Sequence, residues 1–496
     1  MRTCGILMPI FSLSSKYGIG TFGEKAYEFV DFLKKGGQSY WQILPLSPTN
    51  YGDSPYQSFS SYAGNPYFID PEILIKEGLL TKEEADSFDF GSDPDKIDYG
   101  KLYENRTDML RIAYGRFVPD KDYYNFINKN TYWLDDYALF YAIKSKNPEK
   151  PLGEWNKSLK QRDSDRLSEV RRELADEVEF CKFVQFKFYE QWFKLKNYAN
   201  KNGIKIIGDI PIYVAADSAD LWAEPEQFLV DSDLKPSLVA GCPPDAFSAD
   251  GQLWGNPLYN FEQMKADGYK WWKKRLGFAL GLYDVVRIDH FRAFESFYAI
   301  PAEDDTAKNG RWIKGPDIEL FNEIKKEYSG ELPIIAEDLG FLTPEVRALL
   351  KESGFPGMKV LQFAFDTREE SDYLPHNYNN NCVVYTGTHD NDTVIGWTKT
   401  AAKSDVEMAR RYLHVDDEEG FNWAMMRAAM MSVADTCILM MADLLGLGNE
   451  GRINTPSTLG GNWQWRIREG CVNDWLAGIL YENTELYSRL PTEKNN

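Results

Sequence analysis

The stretch YDVVRIDHFR (283–292) decides how the rest of the chain reads. Its first half is a short apolar run rich in β-branched residues, the composition of a strand buried on both faces. Its second half delivers an arginine, an aspartate and a histidine where that run stops. Arg287 precedes Asp289 by two residues, so on a strand both side chains leave from the same face. Buried strands that end in ionisable residues suit a parallel barrel, whose chemistry gathers at the carboxyl ends of its strands.

Seven further runs share this character: GILMPI (5–10), SYWQILPL (39–46), IKIIGDI (204–210), PIIAE (333–337), MKVLQFAF (358–365), NCVVYTG (381–387) and CILMMADL (437–444). With the first they make eight, the number a (β/α)8 TIM barrel requires, and amphipathic stretches such as EKAYEFVDFLKKGG (24–37) alternate with them. The barrel is expected to comprise residues 1–70 and 190–496. The second and third runs are about 150 residues apart, far more than one crossover helix needs, which predicts a mostly helical inserted subdomain over 71–189. Apolar residues Val170, Leu174, Val178, Cys181, Phe188, Trp192 and Leu195 fall at helical spacing and read as core. A second excursion, 211–262, has no clear period and reads as a long rim loop over the barrel mouth.

Composition narrows the ligand. The 496 residues hold 76 acidic and 56 basic side chains, a net charge of -20 that would repel phosphates or an anionic membrane surface. A neutral or cationic ligand is expected, with no nucleic-acid or membrane partner. There is no run long enough to span a bilayer and no signal-like start, and six scattered cysteines (Cys4, Cys181, Cys242, Cys382, Cys437, Cys471) form no metal or disulfide pattern. These features point to a reducing, cytoplasmic setting.

Four strand ends carry chemistry: Asp209 on the third, Arg287 to His290 on the fourth, Glu337 and Asp338 on the fifth, and His389 to Asp392 just beyond the seventh. Any one carboxylate among 76 is usually a solvated surface group; carboxylates on four strand ends are harder to dismiss. Two of only four histidines, His290 and His389, adjoin these aspartates and read as hydrogen-bond donors to a polar ligand, whereas His414 reads as structural. Carboxylates with an arginine, and no serine elbow, match glycosidic-bond chemistry better than acyl transfer. Asp289, kept ionised by Arg287, suits the nucleophile, and Glu337, in apolar surroundings, suits the acid and base. Aromatic residues make up 15% of the chain, and those in presumed loops could stack on sugar rings: Tyr51, Tyr56, Phe59, Tyr62, Tyr67, Trp222, Phe247, Trp254, Tyr259, Trp463 and Trp465.

GIGTFG (18–23) and GLGNEG (446–451) both fit the dinucleotide fingerprint G-x-G-x-x-G. The first lacks an acidic residue at the end of the following strand and the second is not followed by a helix, so neither reads as a cofactor site.

Taken together, SPYQSFSSYAGNPYFID (54–70), GDIPIYVAADSADLW (208–222), GCPPDAFSADGQLWGNPLY (241–259), RIDHFR (287–292), AEDLG (336–340), YTGTHDNDT (385–393) and NTPSTLGGNWQWR (454–466) resemble the amylomaltase-type 4-alpha-glucanotransferases, in order, from about Gly5 to Arg466. The resemblance implies Asp289 as nucleophile, Glu337 as acid and base, and Asp390 as stabiliser of the transition state. It implies sugar contacts from Tyr56, Asp209, Arg287, His290 and His389, from Asp245, Gln252 and Trp254 in a lid over the acceptor side, and from Asn454 or Asn462. It further implies transfer of α-1,4-glucan segments between maltooligosaccharides, starch- or glycogen-type glucans and glucose by a retaining double displacement, without metal or organic cofactor. Two departures stand out: Ala246 where some relatives carry Tyr, and Ser457 where Gly is common. A hydrolase on the same scaffold, a non-catalytic glucan-binding protein and a nucleotide-dependent enzyme using GIGTFG are the competing readings; the second has no need of all three carboxylates.

Overall fold

The computed structural model describes residues 2–491 apart from 51, 245–247, 329, 341, 369–370 and 417. Its strands, in chain order, are β1 (Thr3–Leu7), β2 (Tyr40–Gln42), β3 (Lys205–Ile210), β4 (Leu238–Cys242), β5 (Gln252–Pro257), β6 (Val285–Ile288), β7 (Ser296–Pro301), β8 (Arg311–Lys314), β9 (Ile334–Ala336), β10 (Gly357–Val360), β11 (Cys382–Tyr385) and β12 (Thr436–Met440). Eight form one parallel sheet in the order β10-β11-β12-β1-β2-β3-β6-β9, and each contains part of one of the eight apolar runs. Between β9 and β10, the ends of that order, a single backbone bond from Ala336 N to Pro356 O (3.0 Å) brings the sheet round into a (β/α)8 barrel.

The strands are shorter than the runs suggested. In CILMMADL the ladder stops at Met440 and Met441–Leu444 turns helical; in MKVLQFAF it stops at Val360 and Leu361–Phe363 forms a 3-10 turn. Apolar residues continue past both strand ends because the barrel mouth is itself packed, so hydrophobicity alone overestimates the ladder.

Between β2 and β3 lie the helices Pro71–Lys76, Lys82–Asp86, Tyr99–Arg116, Lys121–Lys146, Lys157–Lys160, Ser164–Glu173 and Ala175–Lys201. The last packs against both Lys121–Lys146 and the barrel helix Glu24–Lys35. It buries Val178, Cys181, Phe188, Trp192 and Leu195, as their spacing predicted. Two of its glutamines are also buried and take the place of strand partners for the loop that follows β2. Gln185 Oε1 accepts from Gly64 N (2.7 Å) while its Nε2 donates to Gly64 O (3.0 Å), and Gln191 Oε1 accepts from Asp70 N (2.7 Å). Buried backbone polar groups must be paired somewhere, and these side chains hold the 54–70 loop in place.

The 211–262 excursion is not the unstructured loop its lack of period suggested. β4 and β5 belong to a separate antiparallel sheet, ordered β5-β4-β7-β8, whose other half comes from residues after β6. Pairing between segments so far apart leaves no local signature, and the β4–β5 register shifts, which breaks the alternation that would betray a strand.

The aromatic surplus serves the core more than the rim. Trp222 and Tyr259 are fully enclosed, and Tyr62 and Trp465 are buried, so these four leave the group of loop aromatics. Three buried indoles find acceptors: Trp41 Nε1 donates to Met8 O (2.8 Å), Trp192 to Leu282 O (3.1 Å) and Trp222 to Leu159 O (2.8 Å). The glycines of GIGTFG serve close packing, since a Cβ on Gly20 would lie 1.9 Å from Ile10 O and one on Gly23 would lie 2.0 Å from Asp70 Oδ2. Among the described residues no helix is long and apolar enough to cross a membrane.

Candidate active site

Three neighbouring strands, β3, β6 and β9, bring Asp209, Asp289 and Glu337 together, and the turn after β11 brings Asp390. Asp289 N bonds to Ile210 O, one residue past Asp209, and Glu337 N bonds to Ile288 O, both at 3.0 Å. Asp209, Asp289 and Glu337 therefore stand at three adjacent strand ends. Arg287, buried between them, donates from Nη1 to Asp209 Oδ2 (2.6 Å) and from Nη2 to Asp289 Oδ1 (3.0 Å). The Tyr56 hydroxyl donates to the same Asp209 oxygen (2.8 Å). This pair of ion pairs realises the same-face geometry read from the two-residue spacing.

Charge and burial act differently on each carboxyl. Burial raises the Asp289 carboxyl above the ordinary aspartate range, and Arg287 offsets only part of that rise, so the guanidinium does not hold it low as expected. Among the described residues no guanidinium bonds to Glu337. It accepts from His290 N (2.7 Å) and Leu339 N (2.8 Å), and burial followed by the Asp289 charge pushes it up to about 7. Burial would also raise Asp390, but the His389 imidazole (Nε2 to Oδ2, 3.2 Å) and Asn454 (Nδ2 to Oδ1, 2.6 Å) outweigh it and hold this carboxyl at about 2. Burial in turn opposes the charge on His389, and Asp390 overrides it and raises the imidazole.

The turn after β11 sets Asp390. Asn391 Oδ1 accepts from Thr388 N and from the Thr388 hydroxyl, both at 2.9 Å. Buried Asp443 accepts from the Thr386 hydroxyl (2.6 Å) and from Val394 N (2.7 Å), clamping the turn at both ends. Arg452 then ties the 454 loop to it, donating to Asp390 O (3.2 Å) and Asn454 O (2.8 Å). The structure separates the two asparagines: Asn454 bonds to Asp390, whereas Asn462 accepts from Thr455 N (2.9 Å) and supports its own loop.

His290 contributes through its backbone as well as its ring. It adopts φ 54°, ψ 47°, a left-handed conformation uncommon for a side-chain-bearing residue, and its N–H reaches Glu337. Its ring meets Trp254 edge-on (4.8 Å), and burial, then Arg292, pushes its imidazole down to about 3, so it is neutral. Trp254 Nε1 donates to Gln252 Oε1 (3.0 Å), which joins these two residues of β5. Tyr56 stacks on His389 (5.1 Å) with Trp463 beside both, so Trp463, though buried, backs the site. Asp245, Ala246, Phe247 and Tyr51 lie outside the described residues.

Sequence reasoning missed Gln42, Met358, Asp443 and Arg452. Gln42 accepts from the Tyr385 hydroxyl (2.9 Å) inside the barrel, and Met358 Sδ accepts from Arg287 Nε (3.4 Å). Gln42 and Asp443 each interrupt an apolar run, which were the available signals; Met358 in an apolar strand offers none.

A family model described as 4-alpha-glucanotransferase matches residues 8–472. The chain belongs to the 4-alpha-glucanotransferase family. The enzyme is thus a glycosyltransferase acting on α-1,4-glucans. It is 50% identical over 486 residues to a 4-alpha-glucanotransferase from Clostridium butyricum, covering 97% of this chain and 100% of that one. It is 46% identical over 502 residues to one from Thermus thermophilus, covering 99% of each. Among solved structures it is similar to an amylomaltase from Streptococcus agalactiae in complex with acarbose, with a TM-score of 0.96, 42% identity, and coverage of 99% of this chain and 100% of that one.

Proposed function

We propose that Asp289, Glu337 and Asp390 perform the transfer by double displacement with retention. Asp289 attacks C1 of a glucosyl unit while Glu337, protonated, gives its proton to the departing 4-oxygen, and a covalent glucosyl-enzyme forms. Glu337, now a carboxylate, takes the proton from the 4-hydroxyl of an incoming sugar, which displaces Asp289 and makes a new α-1,4 bond. The observation that carries this reading is the division of the two acids: Asp289 accepts from Arg287, and Glu337, without such a partner, is pushed up to about 7. Neighbouring strands lie about 4.7–4.9 Å apart, which suits the roughly 5–5.5 Å between carboxyls in retaining enzymes. Asp390, held at about 2, offers a fixed negative charge to sugar hydroxyls and to the positive charge that develops at C1.

Tyr56, Asp209, Arg287, His290, His389, Gln252, Trp254 and Asn454, with Asp245 in the lid, bind the sugar chain in this reading, and Asn462 shapes the loop that carries Asn454. The acarbose bound to the Streptococcus agalactiae relative supports an α-glucan ligand. We assign maltooligosaccharides and starch- or glycogen-type glucans as donors and glucose as an acceptor. Residues 71–189 are assigned as a subdomain inserted in a barrel of residues 1–70 and 190–496, and 211–262 as the rim over the mouth. The six free cysteines favour a cytoplasmic setting.

The test is incubation of the purified protein with maltotriose alone, followed by chromatography over time, with Glu337→Gln in parallel. Glucose plus a ladder of longer oligosaccharides, absent in the variant, is expected. Glucose and maltose with nothing longer would replace transfer by hydrolysis, and a ladder from Glu337→Gln would overturn the acid and base assignment.

A further inference from the structure

The barrel has one irregular seam. Every other neighbouring pair of its strands shares a ladder, but β9 and β10 have only the bond from Ala336 N to Pro356 O. In a regular parallel ladder the next bond would run from Met358 N back to Ala336 O. Met358 N instead donates to Asp338 Oδ1 (2.6 Å), so a buried side chain intercepts a ladder hydrogen bond.

Space at the seam has been left for that carboxylate. A Cβ on Gly357 would lie 2.7 Å from Asp338 Oδ2 and 2.8 Å from Oδ1, and no left-handed backbone demands glycine there. Glycine at 357 and aspartate at 338 therefore go together. The seam also adjoins both reacting acids. Asp338 follows Glu337 directly, and Met358, whose backbone it holds, braces Arg287 Nε with its sulfur (3.4 Å). Arg287 in turn bonds Asp289 and Asp209.

We infer that Asp338 is a positioning residue: wedged between β9 and β10, it sets the backbone that carries Glu337 on one side and the Met358 brace on Arg287, and hence Asp289, on the other. It touches no reacting atom. The inference rests on the assignment of Glu337 and Asp289 as the reacting acids. The wedge requires an acceptor at Met358 N and not a charge, so asparagine can supply it and alanine cannot. Loss of the wedge lets the seam revert toward a regular ladder and shifts the acids against each other. It leaves the more distant sugar contacts in place.

The experiment measures kcat and KM for maltotriose disproportionation at pH 6, with thermal melting, for Asp338→Ala, Asp338→Asn, Gly357→Ala, the double variant Asp338→Ala/Gly357→Ala, and Met358→Leu. A misplacement of about 1 Å can lower a rate by about 100-fold, so Asp338→Ala is expected to lose about 10- to 100-fold in kcat with KM within about threefold. Asp338→Asn should recover most of that loss, Gly357→Ala should reproduce it, and the double variant should be no worse than the worse single, since both remove one wedge. Met358→Leu, which keeps the volume but removes the sulfur acceptor, should lower kcat while melting near the parent temperature.

Parent-like kcat in Asp338→Ala, an asparagine variant as poor as the alanine one, or losses explained by unfolding at the assay temperature would each overturn the inference. Glu337→Gln at parental kcat would overturn the underlying assignment instead. An inactive Glu337→Gln beside a fully active Asp338→Ala would remove the wedge alone.

Discussion

Replacing Arg287 by methionine should separate stability from catalysis. The guanidinium is almost wholly enclosed and holds Asp209, which is 1% exposed, at 2.6 Å, as well as Asp289 at 3.0 Å. Arg287→Met leaves the Asp209 carboxylate with the Tyr56 hydroxyl as its remaining hydrogen-bond partner among the described residues. Breaking a buried pair from one side costs about 3–5 kcal/mol, because the partner charge stays buried without compensation. Removing that charge as well, in Arg287→Met/Asp209→Asn, should return most of the loss, since a neutral pair of similar volume carries no such penalty. Activity should not return with it: Asp289 still lacks its guanidinium, and the barrel mouth has lost two charges. Urea unfolding followed by tryptophan fluorescence gives the stabilities, and the maltotriose ladder gives the activity. The reasoning fails if Arg287→Met unfolds within about 1 kcal/mol of the parent, or if the double variant is as unstable as the sum of its singles.

In the proposed mechanism Glu337 must be protonated to start the reaction, so kcat/KM should fall above about pH 7 by about tenfold per unit, in a profile measured on maltotriose. Because its folded value lies above the ordinary 4.5, the native state keeps a proton that the unfolded chain releases, so this residue's contribution to stability declines as pH rises from about 4.5 to about 7; melting curves of Glu337→Gln should lack that decline. Asn454→Ala removes a hydrogen bond to the Asp390 carboxylate worth about 1.5–3 kcal/mol, or about 10- to 100-fold in kcat/KM, whereas Asn462→Ala should show a smaller effect in the same assay. Ser457 is held at φ 62° in an exposed loop, so Ser457→Gly should raise stability by roughly 1 kcal/mol, read from urea unfolding.

The sequence by itself determined the barrel and most of the ionisable groups gathered at its mouth. Strands buried on both faces need continuous apolar runs, and a carboxylate at the end of such a run has few explanations outside a site, so Asp209, Asp289 and Glu337 were legible without coordinates. Arg287 beside Asp289 followed from the two-residue period of a strand. Only the tertiary structure decided what depends on residues far apart in the chain. The sheet that pairs 238–257 with 296–314, the glutamines that hold the Tyr56 loop, and the burial of Trp222 and Tyr259 away from the rim are of this kind. Which of Asn454 and Asn462 bonds Asp390, and the rise of Asp289 despite Arg287, likewise depend on how separate elements pack. Local sequence records which groups a strand can present. Their protonation, partners and spacing are set by packing between elements that sequence order keeps apart.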